Sequence, residues 1–288
     1  MPELPEVETA RRRIEKALKD QRLSDIEPDE KDLIVYDTAS PREFREALLG
    51  AKVIGSGRKG KYFWLELDRR PWPVFHFGMT GNVEVRTKQK RLPKWGGLKL
   101  HSKSGGKETP ENQIPRFCRL RIVAENGTEV MIIDPRRFGR IRLARNPLSE
   151  PPISKLGFDP LEKFPSGKEL IIILGKRRAP IKAVLLDQSL FAGVGNWIAD
   201  EVLFQSRISP HNKASELTLA QVTALRKALL SVIIRAVKVG ADSKRFPRHW
   251  LFHARWGKVK DARTWEGHKI RHETIGGRTT AWVPDLQK

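Results

Sequence analysis

The chain has 288 residues, 39% of them hydrophobic, which suffices for one large or two modest cored domains and excludes wholesale disorder. Lys and Arg total 55 against 34 Asp and Glu, a formal charge of +21, so a polyanion is the expected partner. The single cysteine, Cys118, excludes an internal disulfide and a cysteine-rich zinc site; no apolar run is long enough to span a membrane, and no signal peptide is expected where Met1 is followed at once by acids and prolines.

In chain order, the first predicted element is a helix. Pro5 suits its first position, where the missing N–H is harmless, and Glu6 and Glu8 suit its positive end. Val7, Ala10, Ile14, Ala17 and Leu18 then recur at helical spacing. Strands are expected over 62–67, 74–77, 119–123 and 129–133, and, after a turn at Gly139, over 140–143. Several short strands with turn signals point to a β-sandwich or barrel. Residues 86–107 interrupt that pattern with eight Lys or Arg and no acid, and read as a solvated basic insertion or a nonspecific phosphate contact. Proline at three of the seven positions 146–152 ends the sheet domain. Helices follow at Ala183–Gln188, Trp197–Ser206 and Thr218–Val239. In the last, Thr218 and Gln221 form a capping box, and Leu219, Val222, Leu225, Leu229, Val232, Ile233 and Ala236 share one face. The stretch 244–288 is aromatic and basic, with Gly276-Gly277 between two possible strands.

The strongest chemical signal is the N-terminus. Removal of Met1 ahead of a small residue would leave Pro2 with a secondary amine, titrating at about 8 and so partly a free nucleophile near neutral pH. Attack of such an amine on a sugar C1′ gives, with loss of its one N–H proton, an iminium that cannot deprotonate further at nitrogen. The iminium acidifies the C2′ hydrogens, and the 3′ phosphate can then be eliminated. Glu3 can serve as general acid or base on the sugar and Glu6 can orient the site. By itself Met-Pro-Glu fits an ordinary helix start equally well.

Five segments, in order along the chain, decide between those readings. They are Met1-Pro2-Glu3-Leu4-Pro5-Glu6-Val7-Glu8-Thr9, Arg58-Lys59-Gly60-Lys61-Tyr62, His76-Phe77-Gly78-Met79-Thr80-Gly81, Asp134-Pro135-Arg136-Arg137-Phe138-Gly139, and Gly193-Val194-Gly195-Asn196-Trp197-Ile198-Ala199-Asp200-Glu201. The set resembles the formamidopyrimidine-DNA glycosylase family, also called Fpg/Nei, over nearly the whole chain.

The resemblance implies an α+β multi-domain fold: an N-terminal catalytic β-sandwich with a leading helix over 1–147, a helix–two-turn–helix DNA-binding domain over 153–243, and a finger over 244–288. It implies that Pro2 is the Schiff-base nucleophile, Glu3 the proton donor and Glu6 a supporting group. Lys61, Asn196 and Arg278 would hold phosphates, Asn196 from a helix N-terminus that favours anions. Met79, Arg136 and Phe138 would fill the void left by a flipped nucleotide; outside the motif, Met79 and Phe138 would read as core. Many family members end in a four-cysteine zinc finger, whereas 244–288 contains no cysteine and His249, His253, His268 and His272 follow no ligand spacing. Gly276-Gly277-Arg278-Thr279-Thr280 nevertheless resembles the finger's tip, and the ending resembles the zinc-less branch of plants and fungi. A two-stranded finger held by Trp250, Phe252, Trp265 and Trp282, with no metal and no cofactor, is therefore expected.

The implied activity is excision of oxidised bases (formamidopyrimidines, hydantoins and, weakly, 8-oxoguanine) with strand cleavage by β,δ-elimination. The alternatives are a non-catalytic binder of damaged DNA with the same fold, which intact Pro2, Glu3 and Lys61 argue against, and a ribosomal or RNA-binding module, which explains the charge but not the ordered segments. The expected partner is double-stranded DNA carrying oxidised bases or abasic sites, with no membrane involved and a monomer acting. A nuclear location is expected if the source is eukaryotic, and a cytoplasmic or nucleoid one otherwise.

Overall fold

A computed structural model describes residues 2–87, 90–91, 113–256 and 261–288. The basic insertion at 86–107 therefore lies almost entirely outside the described residues. The chain falls into two compact units divided between Lys155 and Leu156.

The first unit opens with α1 (Leu4–Leu18), then β1 (Leu23–Pro28), α2 (Pro41–Leu48), β2 (Val53–Lys59), β3 (Tyr62–Leu67), β4 (Trp72–His76), β5 (Asn82–Thr87), β6 (Lys90–Arg91), β7 (Cys118–Ala124), β8 (Glu129–Ile133) and β9 (Arg140–Ala144). The strands form two antiparallel sheets, ordered β2-β3-β4-β9 and β1-β7-β8-β5-β6. Both contribute to one core: Phe63, Phe75 and Phe77 from the first side, Leu120, Ile122 and Val130 from the second, and Val7, Ala10, Ile14 and Leu18 from α1. Full burial of each large apolar side chain is worth about 1.5–3 kcal/mol, so this shared core is what fixes the loops at its edge.

α1 begins at Leu4, one residue earlier than the position of Pro5 suggests, because Glu3 takes the extended cap conformation and Pro5 falls within the first turn. α2 has its own start signal: Ser40 Oγ accepts from Glu43 N while the Glu43 carboxylate accepts from Ser40 N, with Pro41 first in the helix.

The second unit carries α3 (Gly167–Gly175), α4 (Ile181–Leu186), α5 (Asn196–Gln205) and α6 (Leu219–Lys238), followed by the hairpin β10 (Arg271–Ile275) and β11 (Arg278–Trp282). The expected capping box of α6 is present, with Gln221 Oε1 accepting from Thr218 N at 2.9 Å and Thr218 Oγ1 from Gln221 N at 3.3 Å. Val222, Leu225, Leu229, Val232, Ile233 and Ala236 are buried along one face. Leu219 leaves that face: as the first helical residue it is 47% exposed. The hairpin turns on Gly276 and Gly277, whose φ of +60° and +74° belong to the left-handed region that a tight two-residue turn requires.

Candidate active site

The first turn of α1 gathers three of the expected residues. Pro2 is buried, and Glu3 and Glu6 are 2% and 1% exposed. The Glu3 backbone N–H donates to Glu6 Oε2 at 3.0 Å, so Glu6 fixes the backbone that carries Glu3. Burial, reinforced by the neighbouring Glu3 carboxyl, pushes Glu6 up to about 8. At neutral pH Glu6 therefore keeps its proton, and it supports the Glu3 backbone as a neutral group.

One turn further along α1, Glu8 reaches the next expected group. Glu8 accepts from Arg58 Nε at 3.0 Å, and Arg58 Nη1 donates to the Gly60 carbonyl at 3.0 Å. Gly60 and Lys61 make the two-residue turn between β2 and β3, closed by the Lys59–Tyr62 pair, and Gly60 needs its positive φ of +59° there. Burial opposes ionisation of Glu8, but the hydrogen bonds and charges of Arg11, Arg12 and Arg58 win and hold it at about 2. A permanently charged Glu8 thus ties the Lys61 turn to the helix that bears Pro2 and Glu3. Nothing in the sequence assigns Glu8 and Arg58 to the site, though both lie inside the family-like segments.

The register that pairs Tyr62 with His76 sets the Lys61 turn beside the loop after β4. Burial, then Lys61 and the arginines at 140 and 142, lowers His76 to about 4. The neutral ring accepts from Gly78 N at 3.1 Å through Nδ1 and so starts the Met79 loop. Met79 is 37% exposed and Phe138 45% exposed, so both apolar side chains stand out of the core. The Arg136 guanidinium carbon lies 4.7 Å from the centre of the Phe138 ring, which keeps the arginine beside that exposed ring.

The second unit brings Asn196 and the hairpin together. Gly195 caps α5 and Asn196 is its first helical residue rather than its cap. Asn196 Nδ2 donates to the Thr279 carbonyl at 2.8 Å, which joins the helix start to the residue after Arg278. Arg278 itself is exposed, paired across the turn with Ile275. On the far side of the turn, a Cβ at Gly276 would approach the Ala183 Cβ to 2.8 Å, so the hairpin tip lies against α4.

What holds the hairpin is a buried ionic hub. Asp200 of α5 is 1% exposed and pairs with Lys182 of α4, which is fully buried, and with Arg255. Its Oδ2 also accepts from Ala281 N of β11 at 3.1 Å, while Lys182 Nζ donates to the Asn196 carbonyl at 3.1 Å. A buried carboxylate becomes tolerable when this many donors meet it. Next to it Glu201, pushed up to about 7 by burial, accepts from Phe252 N at 2.8 Å.

Of the aromatics expected to replace a metal, Trp250, Phe252 and Trp282 are buried, but Trp265 is 69% exposed. It stands off the cluster, with the Arg248 guanidinium 5.9 Å from its ring. Trp197 and Phe246 fill the cluster instead, at 5.3 Å and 4.9 Å from the Phe252 ring centre. Among the described residues no group of three His, Cys, Asp or Glu side chains is arranged to hold a metal ion.

Two family models match the chain: the formamidopyrimidine-DNA glycosylase N-terminal domain over residues 1–141 and the H2TH domain of the same glycosylase over 156–248. The chain belongs to the formamidopyrimidine-DNA glycosylase family. A family protein of Arabidopsis thaliana is 41% identical over 288 residues, covering all of this chain and 71% of its own length. One from Rhizorhabdus wittichii is 31% identical, with both chains covered in full. Among solved structures, a Lactococcus lactis Fpg mutant in complex with DNA containing Fapy-dG superposes with a TM-score of 0.80 at 25% identity over the full length of both chains. The Lactococcus lactis enzyme non-covalently bound to DNA with an AP site has the same fold, with a TM-score of 0.80 at 24% identity over 99% of each chain.

Proposed function

We propose that this chain is a bifunctional DNA glycosylase and abasic-site lyase of base excision repair, acting as a monomer on double-stranded DNA with oxidised bases. The reading rests on one observation above the others: Pro2 is buried beside Glu3, whose backbone N–H is held by the buried Glu6 carboxyl, which burial pushes up to about 8. That is a nucleophile, a proton donor and a neutral support within one helix turn.

With Met1 removed, the unprotonated Pro2 nitrogen attacks C1′ of the flipped nucleotide, the base departs with the electron pair of its glycosidic bond, and the N–H proton of Pro2 passes to the departing base. Glu3 gives a proton to the opening sugar. The iminium that remains draws electron density from C2′, a C2′ proton is lost, and the 3′ phosphate leaves; a second elimination releases the 5′ phosphate. Lys61, Asn196 and Arg278 hold the phosphates flanking that nucleotide, and Met79, Arg136 and Phe138 occupy its place in the stack. The charge of +21 suits the polyanion, and the relatives solved with damaged DNA support the same class of partner. The hairpin is taken to work without zinc, held by the Asp200 hub and the aromatic cluster.

The test is borohydride trapping on abasic-site DNA. Wild-type protein lacking Met1 should form a covalent adduct. Pro2→Gly, or protein retaining Met1, should form none while still binding DNA. Full strand cleavage by protein shown by mass spectrometry to retain Met1 would refute the nucleophile, and binding without any adduct in the wild type would favour a silent damage-binding protein.

A further inference from the structure

We infer that Asp134 is a positioning residue that locks the Met79 loop and the Arg136–Phe138 loop into one body, so that both void-filling elements enter the DNA stack together. This rests on the proposed reading of Met79, Arg136 and Phe138.

Asp134 follows β8 and is 2% exposed. Among the described residues no cation pairs with its carboxylate, which is instead filled by donors from both loops. Oδ1 accepts from Thr80 Oγ1 at 2.7 Å and from Arg136 N at 3.2 Å, and Oδ2 accepts from Gly139 N at 2.6 Å. Thr80 belongs to the loop that carries Met79, and Arg136 and Gly139 bracket Phe138. A buried carboxylate is costly unless its lone pairs are met, so a site keeping one here is using its capacity for several converging donors.

The two loops also touch directly. A Cβ at Gly78 would lie 2.3 Å from both the carbonyl carbon and oxygen of Phe138, so the backbone before Met79 rests on the backbone of Phe138. The second loop is strapped from its inner side as well. Arg137 adopts a φ of +58°, and its guanidinium grips Asp32 through Nε at 3.1 Å and Nη2 at 2.9 Å. Arg119 bridges from Asp32 at 3.3 Å to the Asp134 carbonyl at 3.0 Å. With Arg137 held against Asp32, Arg136 and Phe138 face solvent.

Ordering two independent loops at the moment of insertion would cost conformational entropy twice, and a shared carboxylate removes one of those costs beforehand. Asn in place of Asp134 keeps the shape, but it presents an amide N–H to either the Arg136 N–H or the Gly139 N–H, neither of which can accept, and so opens the tie. The defect should appear only where there is a stack to fill.

The experiment compares wild type, Asp134→Asn, Thr80→Val and Thr80→Ser in single-turnover assays on a duplex formamidopyrimidine lesion and on single-stranded abasic DNA. 2-Aminopurine opposite the duplex lesion reports insertion by fluorescence. Asp134→Asn should slow duplex excision by about tenfold or more and delay the fluorescence change, while single-stranded cleavage stays within about twofold of wild type. Thr80→Val should show the same split at smaller size, and Thr80→Ser, which retains the hydroxyl, should restore wild-type behaviour. Equal losses on both substrates, or undiminished insertion in Asp134→Asn and Thr80→Val, would overturn the inference. Failure of the Pro2 chemistry would appear separately, as a wild-type protein inert on single-stranded abasic DNA, and the fluorescence signal would still read insertion.

Discussion

Glu6 offers the sharpest check on the electrostatics of the N-terminal site. In an unfolded chain an ordinary glutamate loses its proton near 4.5, whereas Glu6 in the folded protein keeps it to about 8 because it is buried beside Glu3. Between those values folding takes up a proton. Its contribution is therefore fully present below pH 4.5 and is lost as pH rises toward 8, at about 1.4 kcal/mol per pH unit. Glu6→Gln fixes the neutral form and keeps an acceptor for the Glu3 N–H. The stability of the variant relative to wild type should thus rise by about 3 kcal/mol between pH 5 and pH 7. The difference must be measured, because other groups titrate in the same window. His76, lowered to about 4, makes the folded state gain stability as pH rises toward 6.5, and Glu201, raised to about 7, acts in the same direction as Glu6. Urea unfolding followed by tryptophan fluorescence at pH 5, 6 and 7 gives the number. A gap that does not change with pH would mean that Glu6 is ionised in the folded protein, and the account of a neutral support beneath Glu3 would fall with it.

Arg278→Ala should weaken DNA binding and lower the slope of log K against log salt by about one, since one phosphate contact is lost; an unchanged slope would remove Arg278 from the clamp. Prolonged chelation should leave activity intact, and elemental analysis should find no stoichiometric metal, whereas zinc bound at the histidines 249, 253, 268 or 272 would refute the metal-free hairpin. Trp265→Ala should shift stability by no more than about 0.5 kcal/mol, as expected of an exposed side chain, while Trp250→Ala should cost about 3–5 kcal/mol. Excision of 8-oxoguanine opposite cytosine should be slower than that of formamidopyrimidine in single-turnover comparison. The stretch 241–250 is short, and the N–H groups of Ala241, Asp242, Lys244, Arg245, Phe246 and Trp250 are already bonded within the chain, which leaves few backbone donors to read a base edge; equal rates would refute that argument.

The elements legible in the sequence were those whose pattern is local. Tyr62–Leu67 and Glu129–Ile133 appear with their expected bounds, and the long helix appears between its cap residues. β2 escaped because Gly55 and Gly57 weaken its strand character. The reason for Gly57 is three-dimensional: a Cβ there would sit 2.3 Å from the Trp64 ring across the pair. β1 escaped because a bulge between Leu23 and Asp25 breaks its alternation. α2 and α3 did carry readable signals, Ser40 with Glu43 and Ser166 with Glu169, each a capping box. At the site, ordered segments singled out the residues proposed to meet DNA. Their supports, Glu8 with Arg58 and Asp200 with Lys182 and Arg255, join positions 50, 18 and 55 residues apart, so their pairing leaves no local pattern even where a partner lies inside one of the ordered segments. Trp265 misled because aromatic content marks apolar surface without saying which ring is inside.

The hub at Asp200 changes how the chain meets oxidants. Its ties are carboxylate, ammonium, guanidinium and amide groups, and peroxide attacks none of them, whereas thiolates that hold a metal are oxidised readily. The one thiol of the chain, Cys118, is pushed up to about 11 by burial and so stays in its unreactive protonated form at neutral pH. Met131 is fully buried, which leaves Met79 as the accessible thioether among the described residues. Conversion of Met79 to its sulfoxide would turn an apolar tip polar at the very loop proposed to enter the DNA. Oxidative inactivation of this protein would then begin at a lesion that sulfoxide reductases reverse, with the hairpin still in place.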